Sequence, residues 1–228
     1  MIRLAVIGAK GGVGKSTLVY DIARVLSKNY PVTIVDASTS RTISNINEIR
    51  GSLQLEHDYL VERGNLKILS LNQYLTPYVN IGKFQDIYND IISDEEFILV
   101  DYGVHIYERA ISDELFLFYT FTKKINGVVP TNFIAVSNSQ NFVINSTRKL
   151  IEAYISLLMD LDESCVGKLT HFVINMVRDE SNLKVDVKPL FGIVEIPFYR
   201  ELSFNGFWNT EVPKEIENIA KDIESMRR

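Results

Sequence analysis

The sequence predicts an α/β fold in which a mostly parallel central β-sheet carries helices on both faces, giving three layers. Short apolar runs, such as residues 2–7 and 96–101, have the length and composition of strands buried on both faces of a parallel sheet. A glycine-rich loop joins the first run to a stretch with helical periodicity. Two of the runs end in an aspartate. Ligands of open α/β sheets bind at the carboxyl ends of the strands, so both aspartates are candidates for a binding site.

Length and composition limit the protein classes that fit this chain. With 228 residues, 46% of them hydrophobic, the chain can bury a full core, and we expect one domain over residues 1–228. A formal net charge of −5 disfavours a surface devoted to nucleic acid. Cys165 is the single cysteine, which suits a reducing compartment. No secretory signal and no apolar run of the ~20 residues that span a membrane are present, so a cytoplasmic location is predicted.

The glycine-rich loop after the first strand is the most informative stretch of the chain. Residues 9–17 read AKGGVGKST, and its glycines allow backbone N–H groups to turn toward phosphate oxygens. Lys15 would reach the β and γ phosphates, and the Ser16 hydroxyl would ligate Mg²⁺. The residues expected to surround the phosphates are Gly11, Gly12, Val13, Gly14, Lys15, Ser16 and Thr17.

This loop departs from the strict phosphate-loop pattern, which has glycine where this chain has Ala9. With its second lysine at Lys10, the loop resembles the deviant phosphate loop of the ParA/MinD family of ATPases. The resemblance implies a P-loop NTPase fold, with ATP and Mg²⁺ as cofactors. It also implies a homodimer in the ATP-bound state, in which Lys10 crosses the interface to the partner's nucleotide.

The helix predicted at residues 17–28 is followed by a strand at residues 31–36 that ends in Asp36. This segment resembles the first switch of the family, in which a second acidic residue activates the attacking water. Ser38 stands at that position, and a hydroxyl is a poor general base near neutral pH. Slow hydrolysis is therefore expected, with the alternative that the register differs and Asp36 serves alone.

The middle of the chain contains the second acidic candidate. Residues 42–64 are predicted as an irregular switch loop with a short helix, residues 66–71 as a strand and residues 78–92 as a helix. Residues 96–101 form an apolar strand that ends in Asp101, as a Walker B element does, and Asp101 would hold a Mg²⁺-bound water. Residues 102–105 resemble the second switch but lack its common aspartate-threonine-proline opening.

The second half begins with an aromatic stretch, residues 115–130, predicted as an extra hairpin or helix that covers one sheet edge. Core packing and a partner-binding aromatic surface are its alternative roles. The remaining elements are predicted as strands at residues 132–137 and 168–177 and helices at residues 142–158 and 214–227. Residues 192–199 resemble the late strand of the family and the isoleucine-proline pair that follows it.

Three residues of this half resemble the base-binding positions of the family. Asn175, near the end of its strand, resembles the asparagine that bonds the adenine edge, although an ordinary turn residue is an equal alternative. Pro197 and Phe198 resemble the residues whose backbone flanks the base, with an ordinary strand end as the alternative.

The resemblance indicates a ParA-like partition ATPase that acts with a centromere-binding, ParB-like partner. Non-specific DNA contact is a further possibility, against the alternative of a merely solvated basic surface. A spatial regulator like MinD or the flagellar-number ATPases is the alternative function, disfavoured because no amphipathic membrane anchor follows the last helix. A metal-cluster or cofactor-maturation ATPase is the weakest fit, since no metal ligand set is apparent. The candidate DNA contacts are Lys123, Lys124, Arg200, Lys214, Lys221, Arg227 and Arg228.

Overall fold

The computed structural model describes residues 1–71, 80–104, 109–178 and 185–227. Within them the chain forms ten strands, seven α-helices and three short 3₁₀ turns. The strands are β1 (Ile2–Ile7), β2 (Val32–Ala37), β3 (Leu60–Arg63), β4 (Leu66–Ser70), β5 (Phe97–Tyr102), β6 (Val129–Pro130), β7 (Asn132–Asn138), β8 (Cys165–Val166), β9 (Leu169–Val177) and β10 (Gly192–Pro197). The helices are α1 (Lys15–Leu26), α2 (Thr42–Ile46), α3 (Gln85–Ile92), α4 (Arg109–Asn126), α5 (Asn141–Leu161), α6 (Arg200–Asn205) and α7 (Lys214–Ser225), and the 3₁₀ turns are at Leu53–Leu55, Ile81–Phe84 and Phe207–Asn209.

Eight of these strands form one sheet, in the order β10-β9-β7-β1-β5-β2-β4-β3. Every neighbouring pair is parallel except β3 and β4, which are antiparallel at one edge. The predicted mostly parallel sheet is therefore confirmed. The predicted irregular loop with a short helix at residues 42–64 is corrected in part. The short helix is present as α2, but the loop also contains β3, whose half-exposed residues give only a weak strand signal.

Two apolar cores cover the two faces of the sheet and complete the three layers. Along β1, Leu4 and Val6 belong to the core shared with α1 and α7, while Ala5 and Ile7 belong to the other core. This alternation follows from the two-residue period of a strand. The second core contains residues of α3, α4 and α5. The sheet is consequently covered by helices on both faces, as the sequence predicts.

The aromatic stretch at residues 115–130 belongs mainly to α4. The prediction of an extra hairpin or helix at a sheet edge is corrected in its placement, because the helix packs on a face of the sheet. Leu115, Leu117 and Phe118 are buried in the core, and Phe116 is the exposed aromatic side chain of this group, at 42%. Core packing is thus the main role of the stretch, since its apolar residues recur at helical spacing.

A fully buried ion pair joins β1 to α4. The guanidinium of Arg3 donates to Glu114, with a closest N–O distance of 2.5 Å, and both side chains have no exposed surface. The hydroxyl of Tyr102, at the end of β5, also hydrogen-bonds Glu114 and accepts from Arg3 at 2.6 Å. Burial of two charges is tolerated only when they are paired and hydrogen-bonded, so each partner depends on the other.

Candidate functional site

The glycine-rich loop joins β1 to α1 at the middle of the sheet, because β1 lies between β5 and β7. Gly12 and Gly14 adopt positive φ angles of 75° and 94°, which favour glycine. A Cβ atom on Gly14 would also lie 2.2 Å from Nδ2 of Asn175. The path of the loop therefore requires glycine at position 14 for both backbone conformation and space.

The loop places the N-terminus of α1, the positive end of the helix dipole, at the carboxyl edge of the sheet. No side chain of the described residues caps the first turn of α1, whose N–H groups are suited to an anion. Lys15 begins the helix and is buried at 8% exposure, and its Nζ lies 3.5 Å from the carbonyl oxygen of Lys10. The ammonium is therefore held over the loop, where phosphate oxygens would lie.

A cleft of about 360 Å³ opens above the loop, and we call it the phosphate cleft. Six of the seven residues predicted to surround the phosphates line it, while Val13 contributes a backbone carbonyl that Asn175 binds. Its other walls are formed by hydroxyl residues after β2, by residues 102–104 at the end of β5, and by Met176 and Phe207. The loop residues lining the cleft are Gly11, Gly12, Gly14, Lys15, Ser16 and Thr17.

Ser16 and Asp101 meet at the base of this cleft. The Ser16 hydroxyl donates to Oδ2 of Asp101 at 2.6 Å, and Oδ1 of Asp101 is buried with no hydrogen-bond partner among the described residues. Burial, with the nearby Asp36 carboxylate, raises the pKa of Asp101 to about 7, while Ser16 and Lys15 act in the opposite direction. An unpartnered carboxylate oxygen beside a hydroxyl fits the oxygen ligands of Mg²⁺, directly or through water.

Asp36 is fully buried at the end of β2, and its carboxylate accepts four hydrogen bonds from Ser38, just after the strand, and Ser44, in α2. Oδ1 accepts from the backbone N–H and hydroxyl of Ser38, and Oδ2 accepts from the backbone N–H and hydroxyl of Ser44. The strand pairing places Asp36 opposite Asp101, but its side chain is outside the lining of the phosphate cleft. In this geometry Asp36 orders the segment after β2, whereas Ser38 itself lines the cleft.

A second cavity of about 140 Å³, which we call the apolar cavity, adjoins the phosphate cleft. Asn175, Pro197 and Phe198 line it, so the structure brings together all three residues predicted for base binding. The sequence analysis missed the other side chains, which look like ordinary core residues in the sequence and meet only through the tertiary fold. They include Leu18, Val136, Val173, Met176, Ile196, Tyr199, Leu202 and Ile216.

The family described as the CobQ/CobB/MinD/ParA nucleotide binding domain matches residues 4–206 of the sequence. This stretch includes the loop, Asp101 and all the lining residues of the two cavities except Phe207 and Ile216. The chain belongs to this family. The match confirms the ParA/MinD resemblance and indicates a P-loop ATPase family. A search of curated proteins by sequence found no match.

Solved structures of MinD and ParA type share the fold of the chain. A putative plasmid partition protein from Borrelia burgdorferi, bound to AMPPNP, is 14% identical, with a TM-score of 0.65 over 99% of this chain and 97% of that one. MinD of Aquifex aeolicus in a MinC:MinD complex is 19% identical, with a TM-score of 0.65 over 99% and 96%. The septum site-determining protein MinD of Pyrococcus horikoshii, complexed with Mg-ADP, is 14% identical, with a TM-score of 0.66 over 100% and 96%.

Lys10, the additional lysine of the ParA/MinD resemblance, lies outside the lining of the phosphate cleft. Its exposed side chain places Nζ 5.4 Å from the ring centroid of Phe142 and 3.4 Å from Oε1 of Gln140, at the start of α5. Phe142 is itself 62% exposed. The two lysines of the loop thus differ in direction, since Lys15 lies over the loop and Lys10 extends along the protein surface.

The basic residues considered for DNA do not form one surface. Lys123, on α4, pairs with Asp162, whereas Lys214 and Lys221 are on α7, on the opposite face of the sheet. Arg227 pairs with Glu96, and Arg200 lies over the ring of Phe204. The side chain of Lys124 and all of Arg228 are outside the described residues, as are residue 78 and residues 105–108. Among the described helices, none has the length and apolar character needed to cross a membrane.

Proposed function

We propose that this chain is a ParA-like ATPase that dimerises when it binds ATP with Mg²⁺ and hydrolyses ATP slowly. Its role would be plasmid or chromosome partition, with a centromere-binding partner and non-specific DNA. The observation that carries the proposal is the division between the two lysines of the loop. Lys15 lines its own phosphate cleft, while Lys10 is exposed beside it and available to a second subunit.

The arrangement of the site gives each group a role in holding the nucleotide. The loop N–H groups and Lys15 would bind the phosphates, and the adjoining apolar cavity is suited to the base. Ser16 and Asp101 would hold Mg²⁺, which supplies charge neutralisation at the β and γ phosphates. The solved partition protein bound to AMPPNP and the solved MinD bound to Mg-ADP support nucleotide and Mg²⁺ as the ligands.

Replacement of Lys10 by alanine is expected to spare ATP binding and to weaken dimerisation by at least about tenfold. Lys10 is outside its own cleft, so ATP affinity should change by less than about twofold, whereas a lost charge-assisted hydrogen bond costs about 1.5–3 kcal/mol. Light scattering with ADP and with a non-hydrolysable ATP analogue measures the oligomeric state. Lys28→Ala, which removes the same charge beyond the far end of α1, is the control. A Lys10→Ala protein that dimerises like this control would refute the role in trans.

The partition role and the spatial-regulator alternative differ in what the ATP-bound protein contacts. Salt-dependent coating of duplex DNA by the ATP-bound form would support partition, because phosphate contacts release counterions. ATP-dependent binding to liposomes would instead favour a spatial regulator. The similarity to MinD in the MinC:MinD structure is the reason to test this alternative.

Slow turnover is proposed because hydroxyl side chains line the wall of the cleft after β2, where the ParA/MinD resemblance implies the group that activates the attacking water. Ser38 lines the cleft, and its hydroxyl donates to Asp36 at 2.7 Å and accepts the backbone N–H of Arg41 at 3.2 Å. A hydroxyl oxygen is a weak base near neutral pH, so it would activate an attacking water poorly. Asp36 accepts four hydrogen bonds and lies outside the cleft lining. A strong general base is therefore missing from the described lining of the cleft, and such a base typically contributes 10²–10⁴-fold in rate, as an order of magnitude.

Ser38→Asp is expected to raise the ATP turnover rate by up to about 100-fold, the lower end of a general-base contribution. Phosphate release under single-turnover conditions measures the hydrolysis step separately from binding. Ser38→Ala is the matched control, since it removes the hydroxyl without adding a base, and it should leave turnover low. Equal rates in the Ser38→Asp protein and the unmodified protein would show that position 38 does not face the attacking water.

A further inference from the structure

We propose that Met176 is a positioning residue for the nucleoside, packing its side chain on the ribose between the phosphates and the base; this rests on the proposed ATP binding. Met176 is one of three residues that line both the phosphate cleft and the apolar cavity. The other two are Gly14, which has no side chain, and Thr17, which is short. Met176 is therefore the long side chain at the junction of the two cavities.

The backbone at Met176 is irregular in a way that directs its side chain. The pairing of β9 with β10 shifts register between Glu195 and Pro197, so that Asn175 and Met176 together stand opposite Ile196. Two residues opposite one constitute a β-bulge, a feature that turns a side chain to a new direction. Met176 has a φ of 60°, a left-handed conformation that costs a non-glycine residue about 1–2 kcal/mol.

Hydrogen bonds fix this strained residue to the phosphate loop. The amide Oδ1 of Asn175 accepts the backbone N–H of Met176 at 2.9 Å, while Nδ2 of Asn175 donates to the carbonyl of Val13 at 2.9 Å. The terminal methyl of Met176 would be 3.7 Å from a Cβ atom placed on Gly14. The thioether side chain therefore extends from β9 to the phosphate loop at Gly14.

The chemistry of a nucleoside triphosphate identifies what this side chain would contact. In such a molecule the sugar joins the base to the phosphates, so a ligand that fills both cavities must place its ribose at their junction. The side chain of Met176 is half-buried and accessible there, and an unbranched thioether adapts to the C–H face of a sugar. Free phosphates would not extend to this position.

The test compares the binding of Mg-ATP and of inorganic tripolyphosphate by calorimetry in four proteins. Relative to the unmodified chain, Met176→Ala and Met176→Gly should each bind ATP about five- to tenfold more weakly, from the lost apolar contact. Met176→Leu, which keeps the volume, should stay within about twofold. Tripolyphosphate affinity should be the same in all four proteins.

Thermal unfolding separates this effect from a purely structural one. Met176→Gly should melt about 2–4 °C above Met176→Ala, because glycine accepts the positive φ without strain. ATP affinity would thus depend on the side chain at position 176, whereas the melting temperature would depend on how well the residue accepts the positive φ. ATP affinity unchanged in both truncated variants, or an equal loss for ATP and tripolyphosphate, would overturn the proposal. An unmodified protein that binds no ATP would instead refute the proposed function.

Discussion

Lys15→Ala is expected to reduce ATP affinity by at least about 100-fold, the largest effect on function that we predict. Hydrogen bonds to charged groups contribute about 1.5–3 kcal/mol each, and the Lys15 ammonium would contact oxygens of two phosphates. Its burial at 8% exposure strengthens this effect, because water screens a buried charge poorly. The remaining cationic character of the cleft comes from backbone N–H groups and the end of α1, which do not replace a full charge.

Isothermal titration with Mg-ATP measures this loss directly. Lys28→Ala serves as the matched control, because it removes the same charge from an exposed site beyond α1. Thermal unfolding should show both variants folded, which separates lost binding from lost structure. If Lys15→Ala and Lys28→Ala bound ATP with equal affinity, the phosphate cleft would not be the nucleotide site.

Glu114→Ala is expected to lower the free energy of unfolding by about 3–5 kcal/mol, the largest effect on stability. The substitution leaves the Arg3 guanidinium charged and fully buried without its carboxylate partner. It also removes a hydrogen-bond partner of Tyr102. Because typical domains are stable by only about 5–15 kcal/mol, this loss is a large share of the total.

Urea denaturation measures the change, with two controls. Glu56→Ala breaks an exposed pair, since the side chains of Lys83 and Glu56 are 50% and 61% exposed, and should cost less than about 1 kcal/mol. Replacing both Arg3 and Glu114 by leucine should recover part of the loss, because no buried charge then remains unpaired. If the Glu114→Ala protein were as stable as the Glu56→Ala protein, Arg3 and Glu114 would not form a buried ion pair that excludes water.

Local sequence patterns were sufficient for most of the sheet. Consecutive apolar residues, which suit a sheet that is covered on both faces, predict the strands at residues 2–7 and 132–137, and the structure has them as β1 and β7. The helix predicted at residues 142–158 is confirmed as α5, since its apolar residues recur at helical spacing. In contrast, β3 is a short edge strand with half-exposed and exposed residues, so no strong periodicity reveals it.

The candidate site was predictable only where a contiguous motif supplies its chemistry. The loop at residues 9–17 and Asp101 follow from glycine spacing and a strand end. The structure places six residues of the loop in the lining of one cleft and Asp101 in hydrogen-bond contact with one of them, Ser16. The hydrogen bonds from Ser44 to Asp36 join residues on two elements, and the sequence gives no sign of them. The placement of Leu202 and Ile216 in the apolar cavity likewise required α6 and α7 to converge.

The sequence by itself determined the α/β class, the strand–loop–helix unit and the ParA/MinD resemblance, because each depends on residues that are close neighbours along the chain. Only the tertiary structure decided that Arg3 pairs with Glu114, that Lys10 lies on Phe142 and that a β-bulge turns Met176 toward the loop. These features join residues far apart in sequence or depend on the register of two strands. Spacing along a chain carries no information about which distant side chains the packing brings into contact.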